Sequence, residues 1–378
     1  MKEFQIIIPV FQTKPMLLLC IRSLFSTLTY PTELILLNDG SDYNCSEFIR
    51  EQLEIPSLVS IQYIEHEISI GCPKTINQGL SYIKENTYVI FADSDIIFAD
   101  NWQNIVINTL EDTSIGAVSG LFLYPQTDGI QCCGITYQNY FARHLYLNNK
   151  PENLVLEPFF DVQATIFAFL AMTSAIVKKV GTIDENFLNG YEDVDYQFRL
   201  RKMGYRIVTN TNMKFYHYEK SNGIHRSFSR KQNLGIFWSK HAGDVKNDLY
   251  TYMEKQLLAI TNLAPNYVLV NMCEAKNDAL GAIEILKKYM PIDTIIDVSD
   301  RCSIEQRIWL SELLSSDSYA LPIPYIFLCD NFIELTENSY WFYLRSNYLQ
   351  ADMIIDLYAN VMPFSLLSQS FWPGSKIR

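Results

Sequence analysis

Apolar runs broken at short intervals organise the first half of the chain. "FQIIIPV" at 4–10, "ELILLND" at 33–39, "SIQYIEH" at 60–66 and "YVIFAD" at 88–93 each read as a buried strand. Helical segments lie between them. Pro15 opens one, "MLLLCIRSLFSTL", which stops before Pro31. A polar helix is expected near 45–54, and "CPKTINQGLSYIKEN" reads as a helix opened by Pro73. This alternation predicts a mostly parallel sheet with helices on both faces, where ligands bind at the carboxyl ends of strands. Four segments fall at that rim: residues 9–11, 39–41, the stretch after His66, and 93–95.

The middle is less regular. "ATIFAFLAMTSAIV" at 164–177 predicts a buried strand running into a helix, "EDVDYQFRLRKMG" a helix, and "YRIVTNT" a strand. Near residue 250 the pattern restarts. Strands are expected at "NYVLVNM", "DTIIDVS", "PYIFLCD" and "DMIIDLYANV", and helices at "ALGAIEILKKYM", "SIEQRIWLSELLSS" and "SYWFYLRSNYL". Of 15 glycines only Gly281 and Gly374 lie beyond residue 250, so no glycine-rich phosphate loop is expected there. The expected division is a first α/β domain over 1–248 and a smaller α/β domain over 249–378, the latter for docking or oligomerisation.

Composition narrows the function. The 378 residues are 48% apolar and 19% charged, enough for a real core. A net charge of −12 argues against nucleic acid as a partner. No secretory leader is read at the start, and 164–177 is too short for the roughly 20 residues of a membrane span. Eight cysteines without a C-x-x-C pair suit a reducing compartment, so a cytoplasmic protein is expected. The inner face of the membrane is the alternative location. The end, "SLLSQSFWPGSKIR", reads either as a peripheral membrane contact or as an ordinary terminus.

Carboxylates carry the candidate chemistry. Asp93 and Asp95 flank Ser94 at a strand end, a pattern that suits Mn²⁺ or Mg²⁺ on a diphosphate and equally suits solvated loop acids. Asp39 ends the neighbouring strand, where it can accept from a nucleobase or a ribose hydroxyl. Asp-Gly-Ser is also plain turn chemistry. In "GYEDVDYQFRLRKMGYRI", Asp193 is the candidate general base, with Glu192 beside it, and Asp195 is expected to pair with Arg199 four residues on. His217 offers an imidazole to a metal. Lys240, His241 and Trp238 read either as a phosphate contact and stacking platform or as a packed helix face.

Each motif is weak alone, but their order is not. "IIIPVF", "LILLNDGS", Asn77-Gln78-Gly79, "FADSDI", "GYEDVDYQFRLRKMGYRI" and then His217 together resemble the family 2 glycosyltransferases, over about residues 3–245. The resemblance implies an inverting enzyme of the GT-A fold, related to enzymes of bacterial surface polysaccharides. It implies that Pro9, Val10 and Phe11 line the nucleotide pocket and that Asp39 holds the base. Lys74 and Asn77 would border the donor. Asp93, Ser94 and Asp95 would form the D-x-D motif, with Asp95 the direct metal ligand and His217 completing the site. Asp193 would be the base, with Glu192 at the acceptor. The implied donor is a nucleotide sugar, UDP-linked by family habit. The acceptor is a glycan, a lipid-linked glycan or a protein.

The chain also departs from the family. Ile76 stands where an arginine is common, which leaves Lys74 as the substitute cation. The Q-x-x-R-W motif of processive members is absent, so transfer of one or few sugars is expected. Two other readings stay open. A nucleotidyltransferase would need a glycine-rich turn where "PVFQTKP" stands, and a non-catalytic nucleotide-sugar-binding scaffold would keep the fold without turnover.

Overall fold

The computed structural model describes residues 3–139, 141–219, 224–260, 263–264, 266–299, 324–333 and 352–363, the side chains of 224–228 excepted. The expected helices at 303–316 and 339–349, and the chain end at 365–378, lie outside the described residues. Two compact units divide the chain: Met1–Thr136 with Leu156–Lys246, and Tyr137–Val155 with Asn247–Arg378.

The first unit opens with β1 (Phe4–Val10), α1 (Lys14–Thr27), β2 (Thr32–Asn38), α2 (Cys45–Gln52), β3 (Val59–Glu65), α3 (Cys72–Leu80) and β4 (Tyr88–Ala92). Then come β5 (Ile96–Ile97), α4 (Trp102–Leu110), β6 (Ile115–Leu123) and β7 (Ile130–Cys132). A hairpin of β8 (Ile135–Gln138) and β9 (Phe141–His144) follows, crossing the boundary between units. The unit resumes with β10 (Phe159–Asp161), β11 (Phe169–Thr173), α5 (Ser174–Val180), α6 (Glu192–Lys202), β12 (Arg206–His217) and α7 (Ile224–His241).

Its sheet runs β10-β12-β6-β11-β4-β1-β2-β3. β3, β2, β1 and β4 are mutually parallel, and β11 is antiparallel to both its neighbours. Strand order reverses between β1 and β4: the chain winds outward to β3, then returns past β1. Side chains from β1, β4, α1 and α4 form one core, with Ile6, Ile8, Leu17, Ile21, Ile90 and Trp102 all fully buried or nearly so. Each such aliphatic side chain contributes roughly 1.5–3 kcal/mol over exposure.

The second unit holds α8 (Leu249–Leu258), β13 (Tyr267–Asn271), α9 (Lys276–Tyr289), β14 (Ile292–Asp297), β15 (Tyr325–Cys329), β16 (Met353–Asp356) and β17 (Val361–Pro363). Its sheet order is β14-β13-β15-β16-β17, parallel except for β17. Two expectations are corrected here. "DMIIDLYANV" is not one strand. Asp356 gathers the backbone N–H groups of Tyr358 and Asn360, Ala359 turns at φ 65°, and the chain folds back as β17.

A single cut after residue 248 also fails to describe the division, because 137–155 goes with the second unit. Asp248 accepts from Tyr137 N, Asn139 and Arg143 both reach Asp278, and Asn360 Nδ2 donates to Leu147 O. Among the described residues no helix is long and apolar enough to cross a membrane.

Candidate functional site

A cleft of about 820 Å³ opens at the carboxyl ends of β1 and β4, where the strand order of the first unit reverses. Pro9, Val10 and Phe11 leave β1 into it, Asp39 ends β2, and Asp93, Ser94 and Asp95 follow β4. Residues 69–74 form a further wall, including exposed Lys74. Glu185, Leu188 and Asn189 come from the loop before α6, and Ser229 and Gln232 from α7. The rim that the strand pattern predicts is therefore one surface.

Asp93, Asp95 and His217 each offer a ligand atom, and the three atoms lie within 4.8 Å of one another. β12 brings His217 there by pairing with β5, which places it opposite Ile96, next to Asp95. His217 Nε2 is 3.2 Å from Asp95 Oδ1 and 3.6 Å from Asp93 Oδ2. The other ring nitrogen, Nδ1, is 2.7 Å from Gln131 Oε1. Gln131 cannot be turned round, because its Nε2 donates to Glu219 Oε2 at 3.0 Å. Nδ1 must then carry a proton, and Nε2 of the neutral ring directs its lone pair at the carboxylates. Burial disfavours charge on His217. The hydrogen bond with Asp95 and the charges of Asp93, Asp95 and Glu219 outweigh it and raise its pKa above the ordinary value. Two carboxylates and one oriented imidazole form a donor set that fits Mn²⁺, while Mg²⁺ prefers oxygen alone.

The other expected residues divide. Ser94 lines the cleft with its hydroxyl 2.8 Å from that of Thr13, which ties the Asp93–Asp95 turn to the start of α1. Asp193 and Glu192 open α6 in its first turn, where the helix dipole favours acids. They do not line the cleft themselves. Their charges reach it at Cys72, whose thiol is raised well above its ordinary value by burial and then by Glu192, Asp93, Asp39 and Asp193. Glu192 is 7% exposed and accepts from Gly190 N on the loop before α6.

The Asn77 amide accepts from Ile183 N and donates to Ile183 O and Glu185 Oε1, so it pins the loop that carries Glu185, a cleft residue. Asp39 lines the cleft, and its carboxylate also meets the loop at 66–71, through Ser69 Oγ, Ile70 N, Gly71 N and His66.

Residues 5–151 match the family model described as Glycosyl transferase family 2. Through this region the chain is similar to that family. Glycosyltransferase GlyG of Streptococcus pneumoniae serotype 4 is 23% identical over 215 residues, covering 56% of this chain and 69% of the relative. Among solved structures, GalNAc-T7 with UDP, GalNAc and Mn²⁺ superposes with a TM-score of 0.52 at 13% identity. That match covers 69% of this chain and 52% of the other, and it shows the shared GT-A fold. The mannosyltransferase PcManGT of Pyrobaculum calidifontis, in complex with GDP-Man and Mn²⁺, gives 0.48 at 15% identity over 65% of each chain.

Within the glycosyltransferase domain, Asp195 holds the structural role expected of it, and more. It is fully buried and meets Arg199 Nε at 3.0 Å, His241 Nε2 at 2.8 Å and Lys240 Nζ. Burial pushes its carboxyl up, but the bonds from His241 and Lys240 and the charge of Arg199 prevail, and its pKa falls to about 2. Lys240 also meets Asp184 at 2.9 Å. Lys240 and His241 thus join α7 to α6, as the packed-face reading expects. Of the side chains around the ligand set, Gln131 and Glu219 went unforeseen. Gln131 sits 86 residues from His217 in a short strand, and only the pairing of β7, β6 and β12 brings the two together.

Proposed function

We propose that this glycosyltransferase domain moves one sugar, or few, from a nucleoside diphosphate donor to a hydroxyl of a glycan or lipid-linked glycan, with inversion at the anomeric carbon. A UDP-sugar is the donor proposed. The convergence of Asp93, Asp95 and His217 at the strand-order reversal carries this reading.

Asp95 and His217 would hold Mn²⁺, with Asp93 beside them. When bound, that ion supplies Lewis-acid stabilisation to the charge that develops on a leaving diphosphate. Lys74 is exposed on the cleft wall and adds a cation for the same diphosphate. Pro9, Val10 and Phe11 flank the nucleoside. Asp193 takes the proton of the attacking hydroxyl, a role worth about 10²–10⁴ in rate. The start of α6 suits it, because its charge is held at the positive end of the helix. Glu192, turned onto Gly190, shapes the loop that leads into Asp193. The second unit acts as a docking or oligomerisation module; the backbone hydrogen bonds taken by its strand-end acids support a role without chemistry.

The test is donor hydrolysis. The protein is incubated with UDP-, dTDP- and GDP-sugars with and without Mn²⁺, and released nucleoside diphosphate is measured. Slow Mn²⁺-dependent release from one donor is expected. No release, together with no Mn²⁺-dependent binding of any nucleoside diphosphate, would reject the reading.

A further inference from the structure

Three consecutive residues before α6 have positive φ: Asn189 at 52°, Gly190 at 146° and Tyr191 at 70°. Asparagine and glycine accept such angles, but a bulky aromatic residue rarely does. A backbone of this kind persists only where its surroundings impose it. Asp193 follows two residues later, in the first turn of α6. Where its carboxylate stands is therefore set by how the turn at 189–191 is held.

Asn233 holds it. This side chain lies on α7 and is 1% exposed. Its Oδ1 accepts from Leu188 N at 3.0 Å, and its Nδ2 donates to Leu188 O at 3.0 Å and to Gly190 O at 2.8 Å. Both amide protons and the amide oxygen thus go to loop backbone. A Cβ on Gly190 would lie 3.6 Å from Nδ2, so the amide packs directly on the turn. The Tyr191 ring meets that of Phe237, also on α7, with centroids 5.4 Å apart, and Tyr191 O accepts from Asp195 N at 2.8 Å. The gripped segment reaches the cleft through Leu188 and Asn189, and α7 reaches it through Ser229 and Gln232. The earlier part of the loop is fastened separately. Asn77 bonds Ile183 and Glu185, Arg199 donates to Val180 O and Thr182 O, and Lys240 meets Asp184. Loss of Asn233 would therefore free the turn and leave the rest of the loop in place.

We propose that Asn233 is a positioning residue: its amide fixes residues 188–190, and through the turn that they begin it aims Asp193 at the hydroxyl to be activated. The proposal rests on the reading of Asp193 as base and names what holds that base in place.

Two measurements on the full chain test it. The first is amide hydrogen exchange without nucleotide. Asn233→Ala leaves Leu188 N, Leu188 O and Gly190 O without this partner, so exchange over 188–191 should rise about tenfold or more while residues 93–97 keep their wild-type rate. Unchanged exchange at 188–191, or an equal rise at 93–97, overturns the clamp whether or not any donor binds. The second is donor hydrolysis, in which water stands in for the acceptor hydroxyl. Turnover is counted per site that binds Mn²⁺ and the released nucleoside diphosphate, so unfolded molecules do not enter. Asn233→Ala should lower kcat by about 10–100-fold with the donor KM within about threefold, as expected of a displaced base beside an intact donor site. A raised KM with kcat unchanged, or no change in either, overturns the aiming role. No release by the wild type rejects the donor reading, and the exchange result then decides the clamp by itself. If Asn233→Ala folds poorly, Gly190→Ala disturbs the same turn from the other side, because alanine is strained at φ 146° while its Cβ finds ordinary contact. It should reproduce both the local rise in exchange and the loss confined to kcat, and wild-type behaviour in both counts against the proposal.

Discussion

The two units solve the same geometric problem in opposite ways. Each has a mostly parallel stretch of sheet with a reversal of strand order, between β1 and β4 in the first and between β13 and β15 in the second. Each puts aspartates at the carboxyl ends of its strands. In the first, Asp93 and Asp95 turn toward His217 over an open cleft. In the second, Asp330 accepts from Glu274 N and Ala275 N at the start of α9, where a bound phosphate would otherwise find its donors. Asp356, fully buried, takes Phe332 N, Tyr358 N, Asn360 N and Asn360 Nδ2. In the second unit, local N–H groups take up the strand-end acids.

The sharpest way to break this comparison is to remove one acid from each unit. Asp95→Ala should lower turnover by about 10³-fold or more, the scale of several kcal/mol of leaving-group stabilisation. Mn²⁺-dependent nucleoside diphosphate binding should go with it, read by calorimetry. Asp330→Ala should leave turnover per folded molecule within about twofold. Comparable losses in both would mean that the second unit takes part in chemistry.

Asp193→Asn sharpens the first unit's side. Turnover should fall by about 10²–10⁴ while nucleoside diphosphate affinity holds, because the group acts on the acceptor proton alone. A parallel loss of binding would assign Asp193 to the donor. A smaller effect is expected behind the ligand set. Gln131→Ala frees the His217 ring to rotate and change tautomer, so Mn²⁺ affinity should drop by about 10–100-fold. Turnover should recover at high Mn²⁺. Electron paramagnetic titration of Mn²⁺ gives the affinity without relying on activity, and unchanged affinity would make the Gln131 contact incidental.

Much of this plan was legible in the chain. The long strands are uniform apolar runs, the acids fall at their ends, and "YEDVDYQFRLRK" begins a helix where the pattern says one should. What escaped reading depends on partners remote in sequence. The Asn77 amide closes on Ile183. The bonds of Asp39 to residues 66–71 likewise span some thirty residues of sequence. Strands of two to four residues, such as β5, β7 and β10, carry too few positions for a period to show. Residues 137–155 join the second unit through polar bonds to Asp248, Asp278 and Asn360, which no local pattern announces.

The mildest test of the comparison is pH, through the two most displaced carboxyls. Burial lifts Asp356 to about 6, only partly opposed by the hydrogen bonds from Asn360, Tyr358 and Phe332. Its folded value lies above the unfolded one of about 3.9. Its contribution is therefore full at low pH and is lost as pH rises through about 6. Asp195 has the opposite sign: its pKa of about 2 gives stability present above about 3.9 and lost only in strong acid.

Between pH 7 and pH 5 Asp195 therefore contributes a constant amount, while Asp356 gains roughly 1 kcal/mol. Thermal unfolding of the wild type and Asp356→Asn should isolate this term, since the amide does not titrate. The variant should be less stable by about 1–3 kcal/mol, because Asn cannot accept at its Nδ2. The gap between the two should widen as pH falls from 7 to 5. A gap that narrows instead would mean that Asp356 is stabilised as the anion by its four donors, and the second unit would then hold a buried negative charge as the first does at Asp195.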